Sequence, residues 1–404
     1  MKLSRVPLLV SLASTKSLTS AFSPSSSIHR NLVRSNLAAP LHLSASSTAD
    51  LAPGIAVINE LNSDLEPKLN LLREQPYFRL YSVDMLASCE YMPQELFECY
   101  SETCEIYPVD EEEVPEDIKT VDMDEHDFEL DGWARWDMPS EDYYDISQFP
   151  EEFTGYDGAE IWRFIHDRIA FHDDTLQDEY DSDNWKADFN KAVSGLHSCI
   201  SAHIIKGIEK KIEEKEDFAE DCEWTDPKVE FERRLSENGE TPQAMENLYF
   251  GYMLLLSAAK VARERMLKDC ASGKLEEEAA GILKDVLSSP LLDGDGGNFD
   301  DSISIAYKKL HDHALKDEQS SQALWEARLR TRDLFRVMNC VQCNKCRLHG
   351  KIGAMGLSTA FQLLLGRGGE GGDINRIHRV ELAALMTTLS KFSSAVSFCN
   401  RMKS

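Results

Sequence analysis

The residues most able to do chemistry are cysteines, and the densest group is Cys340-Val341-Gln342-Cys343-Asn344-Lys345-Cys346-Arg347-Leu348-His349. A two-residue spacer lets paired sulfurs either close a small disulfide or grip one metal ion. Three chemistries fit. As a redox pair, Cys343 and Cys346 are flanked by Lys345 and Arg347, whose positive charge favours the thiolate, the form that performs exchange. As a zinc site, Cys340, Cys343, Cys346 and His349 offer four ligands, although structural zinc sites usually draw two pairs from separated hairpins. As an iron–sulfur site, the run needs a fourth cysteine at position 350, which is Gly350. A second pair, Cys99 and Cys104, lies among acids that raise a thiol pKa, so it makes a poor metal site and a poor spontaneous nucleophile. A disulfide attacked by another protein's thiolate has no such difficulty, and a mobile arm bearing one can visit two partners in turn. The plain alternative is a surface loop staple.

These cysteines need elements to position them. Residues 105–131 hold thirteen acids and a single base, Lys119, and are expected to form a mobile, solvated loop. A helix is expected over about 190–213, with the stripe Val193, Leu196, Ile200, Ile204 and Ile208 beside a polar stripe of Ser194, His197 and Ser201. A second, over about 245–268, reads as a buried core helix because Leu248 to Leu256 is broken only by Gly251. A third leads from Ser321 into Cys340, and a last carries Leu382, Leu385, Leu389, Phe392 and Val396 on one face, after a Gly-rich segment at 366–372. Residues 55–81 lack a clean period and suggest a short helix and an extended piece. Leu292 to Gly297 imitates a calcium loop but lacks its glycine and terminal glutamate, so it reads as a linker. Strand signals are sparse. The expected fold is mainly α-helical, a single domain over 50–404 with an acidic loop at about 90–132 and an active-site region at about 340–365.

The 404 residues carry 43 Lys and Arg against 71 Asp and Glu, a net charge of −28. Such a polyanion is repelled by phosphate backbones and anionic leaflets, which argues against a nucleic-acid partner. No apolar run approaches the roughly 20 residues that span a bilayer. Residues 1–49 differ sharply, with five bases and no acid. Lys2 and Arg5 precede the apolar stretch 6–13, the layout of a secretory signal peptide, and 22–49 is Ser-rich and acid-free, as transit peptides are. This 1–49 targeting region is therefore expected to be a signal peptide, with a bipartite form as the alternative. Ser20-Ala21-Phe22-Ser23-Pro24 resembles the Ala-Phe junction of proteins sent to complex plastids through the secretory pathway. The final residues, Asn400 to Ser404, are not a retrieval signal, so luminal retention would need a partner.

Several ordered motifs resemble the endoplasmic reticulum oxidoreductin family, which oxidises protein disulfide isomerase. The run 340–348, with Gly350-Lys351 and Gly356-Leu357-Ser358-Thr359-Ala360, is similar to the family's active-site signature and following helix. Ser194-Gly195-Leu196-His197 with Ile200-Ser201-Ala202-His203 resembles its flavin-contacting helix. Thr154-Gly155-Tyr156 with Trp162, Asn247-Leu248-Tyr249-Phe250, and Tyr77-Phe78-Arg79 ahead of Cys89, Cys99 and Cys104 supply further landmarks. The resemblance spans roughly 70–400. It implies a flavin-dependent thiol oxidase with FAD as cofactor, Cys343 and Cys346 as the disulfide beside the flavin, and Cys99 and Cys104 as the shuttle pair. It further implies a structural Cys89–Cys340 bridge, flavin contacts at Thr154, Trp162, Ser194, His197 and Arg234, and no metal. The implied partners are protein disulfide isomerase or another thioredoxin-like dithiol protein, and oxygen as electron acceptor. The implied compartment is the endoplasmic reticulum lumen, with peripheral membrane association possible and a complex plastid as the alternative.

The chain departs from the family pattern at three positions. Glu152 stands where an Arg is expected, Ile165 where an aromatic is expected, and Ala244 where another Arg is expected. Flavin binding is therefore expected to be weaker or differently arranged. Two other readings remain: a zinc-binding scaffold, and a degenerate member that exchanges disulfides without flavin. The familiar regulatory cysteines are missing, and Cys199, Cys222, Cys270 and Cys399 are candidates for bridges of their own.

Overall fold

The computed structural model describes residues 46–91, 105–123, 142–151, 158–171, 185–214, 226–236, 243–293, 319–341, 343–365 and 377–403. The targeting region up to residue 45, and with it any reading of its signals, lies outside them. In chain order the helices are α1 (Ser46–Arg73), α2 (Pro76–Arg79), α3 (Glu116–Met123), α4 (Gly158–Ile169), α5 (Trp185–Glu214), α6 (Pro227–Phe231), α7 (Gln243–Ala271), α8 (Glu277–Leu287), α9 (Pro290–Asp293), α10 (Gln319–Val337), α11 (Asn344–Leu365) and α12 (Arg379–Lys403). Two strands, β1 (Leu80–Ser82) and β2 (Tyr143–Asp145), pair antiparallel with Leu80 opposite Asp145 and Ser82 opposite Tyr143. The described chain is thus mainly α-helical.

The core is built around α12, which is buried almost from end to end. By length and composition it could cross a membrane, yet 94% of its apolar window is buried inside the protein. Its hydroxyls and charged groups find partners there, as buried polar groups must. Thr387 Oγ1 lies 2.8 Å from the Tyr81 hydroxyl, and Arg379 donates to the carbonyls of Tyr77 and Leu80 at 2.6 and 3.0 Å. Ser393 donates to Asn62 of α1 at 2.7 Å, and Asn62 also accepts from the Tyr252 hydroxyl of α7. Close approach of the other core helices depends on glycine. A Cβ at Gly356 of α11 would meet Thr388 Oγ1 at 2.2 Å and Ala384 O at 2.6 Å on α12, and one at Gly195 of α5 would meet Asn247 O of α7 at 2.3 Å. No side chain larger than a hydrogen fits at either crossing.

Two expectations change. The stretch 55–81 is not a short helix and an extended piece: α1 runs 28 residues before the short α2 and β1. The acidic stretch is not uniformly a solvated loop either. Residues 105–123 carry a 3-10 turn at Glu111–Glu113 and then α3, with Val114 and Ile118 buried against Leu80 and Tyr143. Three apolar side chains, Val109, Val114 and Ile118, seat this segment on the β1–β2 ribbon while its acids face water, and Val109 N donates to Tyr143 O at 2.7 Å. The linker expected near Leu292–Gly297 lies outside the described residues from 294 onward.

Candidate active site

Cys340 ends a 3-10 turn (Met338–Cys340) that follows α10, and it is joined to Cys89 with a Cα–Cα separation of 4.6 Å. Three residues later the chain turns into α11, and Cys343 stands at its N-cap: the Cys343 carbonyl accepts the first intrahelical bond, from Arg347 N at 2.8 Å. Cys343 is buried and Cys346, in the first turn, is half-buried. Both sulfurs therefore sit at the N-terminal end of a helix, whose dipole favours a thiolate. The Arg347 guanidinium folds back over this turn, donating from Nε to Val341 O and from Nη1 to Met85 O, both at 2.9 Å. Burial lowers its pKa, and the opposing charges of Asp84 and Cys343 raise it. One turn on, the fully buried Lys351 donates to Asp84 O, with its ammonium 4.9 Å from the Phe335 ring centre. Arg347, Lys351 and the Cys89–Cys340 bridge together fix residues 84–89 to the start of α11.

A second constellation lies on α4, α5 and the π turn at Glu232–Ser236. The Trp162 indole and the His197 imidazole stack with centroids 4.4 Å apart and planes 17° apart. Burial, with smaller contributions from His166 and Arg234, lowers the His197 pKa to about 3. At neutral pH it is an uncharged ring with one donor and one acceptor nitrogen. Arg234 is held by Glu230, which receives its Nε at 2.8 Å and is also gripped by Arg233. Burial works against ionisation of Glu230, but these two arginines overcome it and keep its carboxyl below the usual range. Ser194, one turn before His197 on the same face, is half-buried. Leu196, between them, packs on α11, where a Cβ at Gly353 would lie 3.1 Å from its Cδ1. The helix with the cysteines is thus packed directly on the helix with Ser194 and His197.

The structure accordingly joins Cys89 to Cys340, sets Cys343 and Cys346 on one helix start, and gathers Trp162, His197 and Arg234. Cys99, Cys104 and Thr154 lie outside the described residues, as do Glu152 and Cys222. His166 is a residue that sequence reading missed; it follows Trp162 by one turn, with ring centroids 6.5 Å apart, and that i,i+4 spacing of two rings was the available signal. The zinc reading is overturned. Cys340 is consumed by its disulfide, and His349 has both ring nitrogens engaged, with Phe149 O at 2.6 Å and Lys391 Nζ at 3.0 Å. Nor do Cys199, Cys270 and Cys399 bridge one another: all three are buried thiols, and burial raises their pKa values, that of Cys399 to about 12. Ile165, where an aromatic was expected, is an interior residue of α4, and Ala244 packs against the core.

A sequence model described as Endoplasmic Reticulum Oxidoreductin 1 (ERO1) matches residues 64–399. The chain belongs to this family. ERO1 enzymes are flavin-dependent thiol oxidases that generate disulfides, and they are proteins of the endoplasmic reticulum. Among similar proteins, ERO1-like protein alpha of Mus musculus is 27% identical over 78% of this chain and 79% of its own length, and that of Homo sapiens is 27% identical over 83% and 85%. Among solved structures, a cysteine-substituted S. cerevisiae Ero1p gives a TM-score of 0.56 at 22% identity, covering 86% of this chain and 97% of that one. A second Ero1p structure gives 0.57 at 20% identity, with 87% and 97% covered. The fold is therefore that of the ERO1 oxidases.

The residues present fit the FAD that the family generally carries. A stacked indole and imidazole offer a flat aromatic wall, a serine hydroxyl and a neutral histidine offer hydrogen bonds, and Arg234 offers a forked cation suited to a pyrophosphate.

Proposed function

We propose that this chain makes disulfides de novo, drawing electrons from a protein disulfide isomerase or similar thioredoxin-like partner through two cysteine pairs. A thiolate of the reduced partner attacks the Cys99–Cys104 disulfide and forms a mixed disulfide; the partner's second thiol displaces it. The partner leaves oxidised and Cys99 and Cys104 are left as thiols. The same exchange then passes the electron pair to a Cys343–Cys346 disulfide, which becomes a dithiol. The positive end of α11 and the Arg347 guanidinium favour the thiolate there. Thr154, Trp162, Ser194, His197 and Arg234 are assigned to hold FAD, the indole and imidazole by packing and the polar groups by hydrogen bonds. Bound FAD supplies the conversion of dithiol electrons into oxygen chemistry, with hydrogen peroxide as product. The compartment assigned is the endoplasmic reticulum lumen, reached through the 1–49 targeting region; delivery onward to a complex plastid is the alternative.

The observation that carries this reading is the packing of the cysteine-bearing α11 on α5, which presents His197 stacked on Trp162. The visible spectrum of the purified protein tests it. A flavin spectrum that bleaches with reduced dithiol without oxygen and returns with air is expected. A colourless protein after folding with excess FAD would refute the oxidase and leave a flavin-free disulfide exchanger, for which Glu152, Ile165 and Ala244 are the grounds. Cys99→Ala is expected to spare oxidation of dithiothreitol while oxidation of a protein dithiol is lost; equal loss with both removes the shuttle role.

A further inference from the structure

Four ionisable side chains that the exchange steps do not use meet inside the protein, drawn from four parts of the chain. Lys391 of α12 is 4% exposed, and its ammonium lies 2.9 Å from Glu151 Oε2 and 3.0 Å from His349 Nδ1. Because an ammonium only donates, His349 Nδ1 is the acceptor, and its Nε2–H donates to Phe149 O at 2.6 Å. His203 of α5 donates from Nε2 to the Lys391 carbonyl at 3.0 Å. Burial lowers the pKa of His349 to about 3 and that of His203 to about 4, so both rings are neutral beside the Glu151–Lys391 ion pair.

A buried ion pair is a poor device for stability alone, since an apolar pair of the same shape often does as well or better. Its placement suggests another use. His349 follows Cys346 by three residues on α11, and His203 follows His197 by six on α5. The chain of contacts from His203 through Lys391 to His349 therefore links the helix of the candidate flavin contacts to the helix of the candidate cysteines, through α12. We propose that His349 and Lys391 are positioning residues for the thiol oxidase reaction, fixing the separation and rotation of α11 relative to α5 so that the Cys343/Cys346 pair meets the flavin in a reactive geometry. This rests on the flavin reading above.

The test uses the full chain loaded with FAD. His349→Leu removes both ring hydrogen bonds and leaves the Glu151–Lys391 ion pair; His349→Gln keeps a side chain able to accept from Lys391 and donate to Phe149 O. In anaerobic stopped-flow with dithiothreitol, H349L is expected to reduce its flavin about tenfold or more slowly, as a misplacement of order 1 Å can cost that much. H349Q is expected to stay within about threefold of the parent, as its retained hydrogen bonds keep the geometry. The visible circular dichroism of the bound flavin should change in H349L and not in H349Q. An H349L protein with the parent's reduction rate and flavin dichroism, and only a lower melting temperature, overturns the proposal. If H349L does not fold, the double variant E151Q/K391M, which leaves no lone buried charge, is read by the same criteria. A parent chain that binds no FAD refutes the flavin reading and the proposal with it, whereas a parent that binds FAD beside an unchanged H349L refutes only the positioning role.

Discussion

The Cys89–Cys340 bridge joins residues 251 apart in sequence, and removing it should act mainly through the unfolded chain. In the chain-entropy account, releasing a loop of that length costs about 5 kcal/mol of stability. The native geometry at the bridge should survive, because Arg347 still donates to Met85 O and Lys351 to Asp84 O. Each of these charged hydrogen bonds contributes roughly 1.5–3 kcal/mol, enough to keep residues 84–89 near α11. Urea unfolding of C89A/C340A, followed by far-ultraviolet circular dichroism, measures the loss. The expected result is a loss of about 3–5 kcal/mol, within the usual range for a native disulfide, together with a larger slope against denaturant, because the unfolded variant exposes more surface once uncrosslinked. A loss below about 1 kcal/mol with an unchanged slope would refute the reasoning, since it would mean that the bridge restrains nothing in the denatured ensemble.

Further outcomes follow from the helix crossings and the buried imidazoles. Gly195→Ala drives a methyl to 2.3 Å from Asn247 O, a backbone atom that cannot swing aside, so α5 and α7 must part; a loss of about 2 kcal/mol or more is expected in thermal or urea unfolding, and an unchanged midpoint would refute the close approach. Stability should also fall on acidification. The pKa of His349 drops from about 6.5 unfolded to about 3 folded, so between these values the unfolded chain binds the extra proton and folding loses up to about 1.4 kcal/mol per pH unit as pH falls. His203, lowered to about 4 by its burial, adds in the same sense, and Glu151, held well below its usual range, extends the loss below about pH 4.5. The parent should therefore show a steeper decline below pH 6.5 than H349Q, and parallel curves would refute the assignment.

The long helices were legible because their buried faces repeat at helical spacing: Val193, Leu196, Ile204 and Ile208 of α5 and Leu382, Leu385, Leu389, Phe392 and Val396 of α12 are all buried. The helix α1 was not, and Asn62 is the reason. Ile58, Asn62, Leu65, Leu69 and Leu72 form one buried stripe at spacings of four and three, but a polar residue at its second position reads as a break. Only the partners of Asn62, from α7 and α12, justify it there, and those lie about 190 and 330 residues away in sequence. Lys391 and Glu151 escaped notice for the same reason, since a charged residue at an interior position looks like part of a solvated face until its counter-charge arrives from elsewhere, and His349 drew attention only as a candidate zinc ligand. Residues 105–123 show the converse: thirteen acids across 105–131 drowned the signal of three apolar residues that suffice to seat the segment. The cysteine spacing was legible as a site but left three chemistries open, and the Cys89–Cys340 bridge with the engaged ring nitrogens of His349 is what removes the zinc reading.

The departures from the family pattern weigh differently once the structure is in view. Ile165 is 1% exposed and lies on the same interior stripe of α4 as Trp162 and Ile169, so an aliphatic side chain there is well accommodated by the core. The loss of an aromatic at that position leaves the Trp162–His197 stack intact. The other two departures, Glu152 and Ala244, replace expected charges, and among the described residues the guanidinium acting on His197 is that of Arg234, anchored by the buried Glu230. An anchored guanidinium loses little freedom on meeting a phosphate, which favours binding, but Glu230 neutralises part of its charge. The balance predicts that the chain's affinity for FAD depends on Arg234 more than on any other single cation. Arg234→Ala should therefore weaken FAD binding about tenfold or more, the worth of a charge-assisted hydrogen bond, with the dithiothreitol reduction rate of the flavin that still binds little changed. Titration of apoprotein by flavin fluorescence quenching measures it, and an unaltered dissociation constant would remove Arg234 from the site.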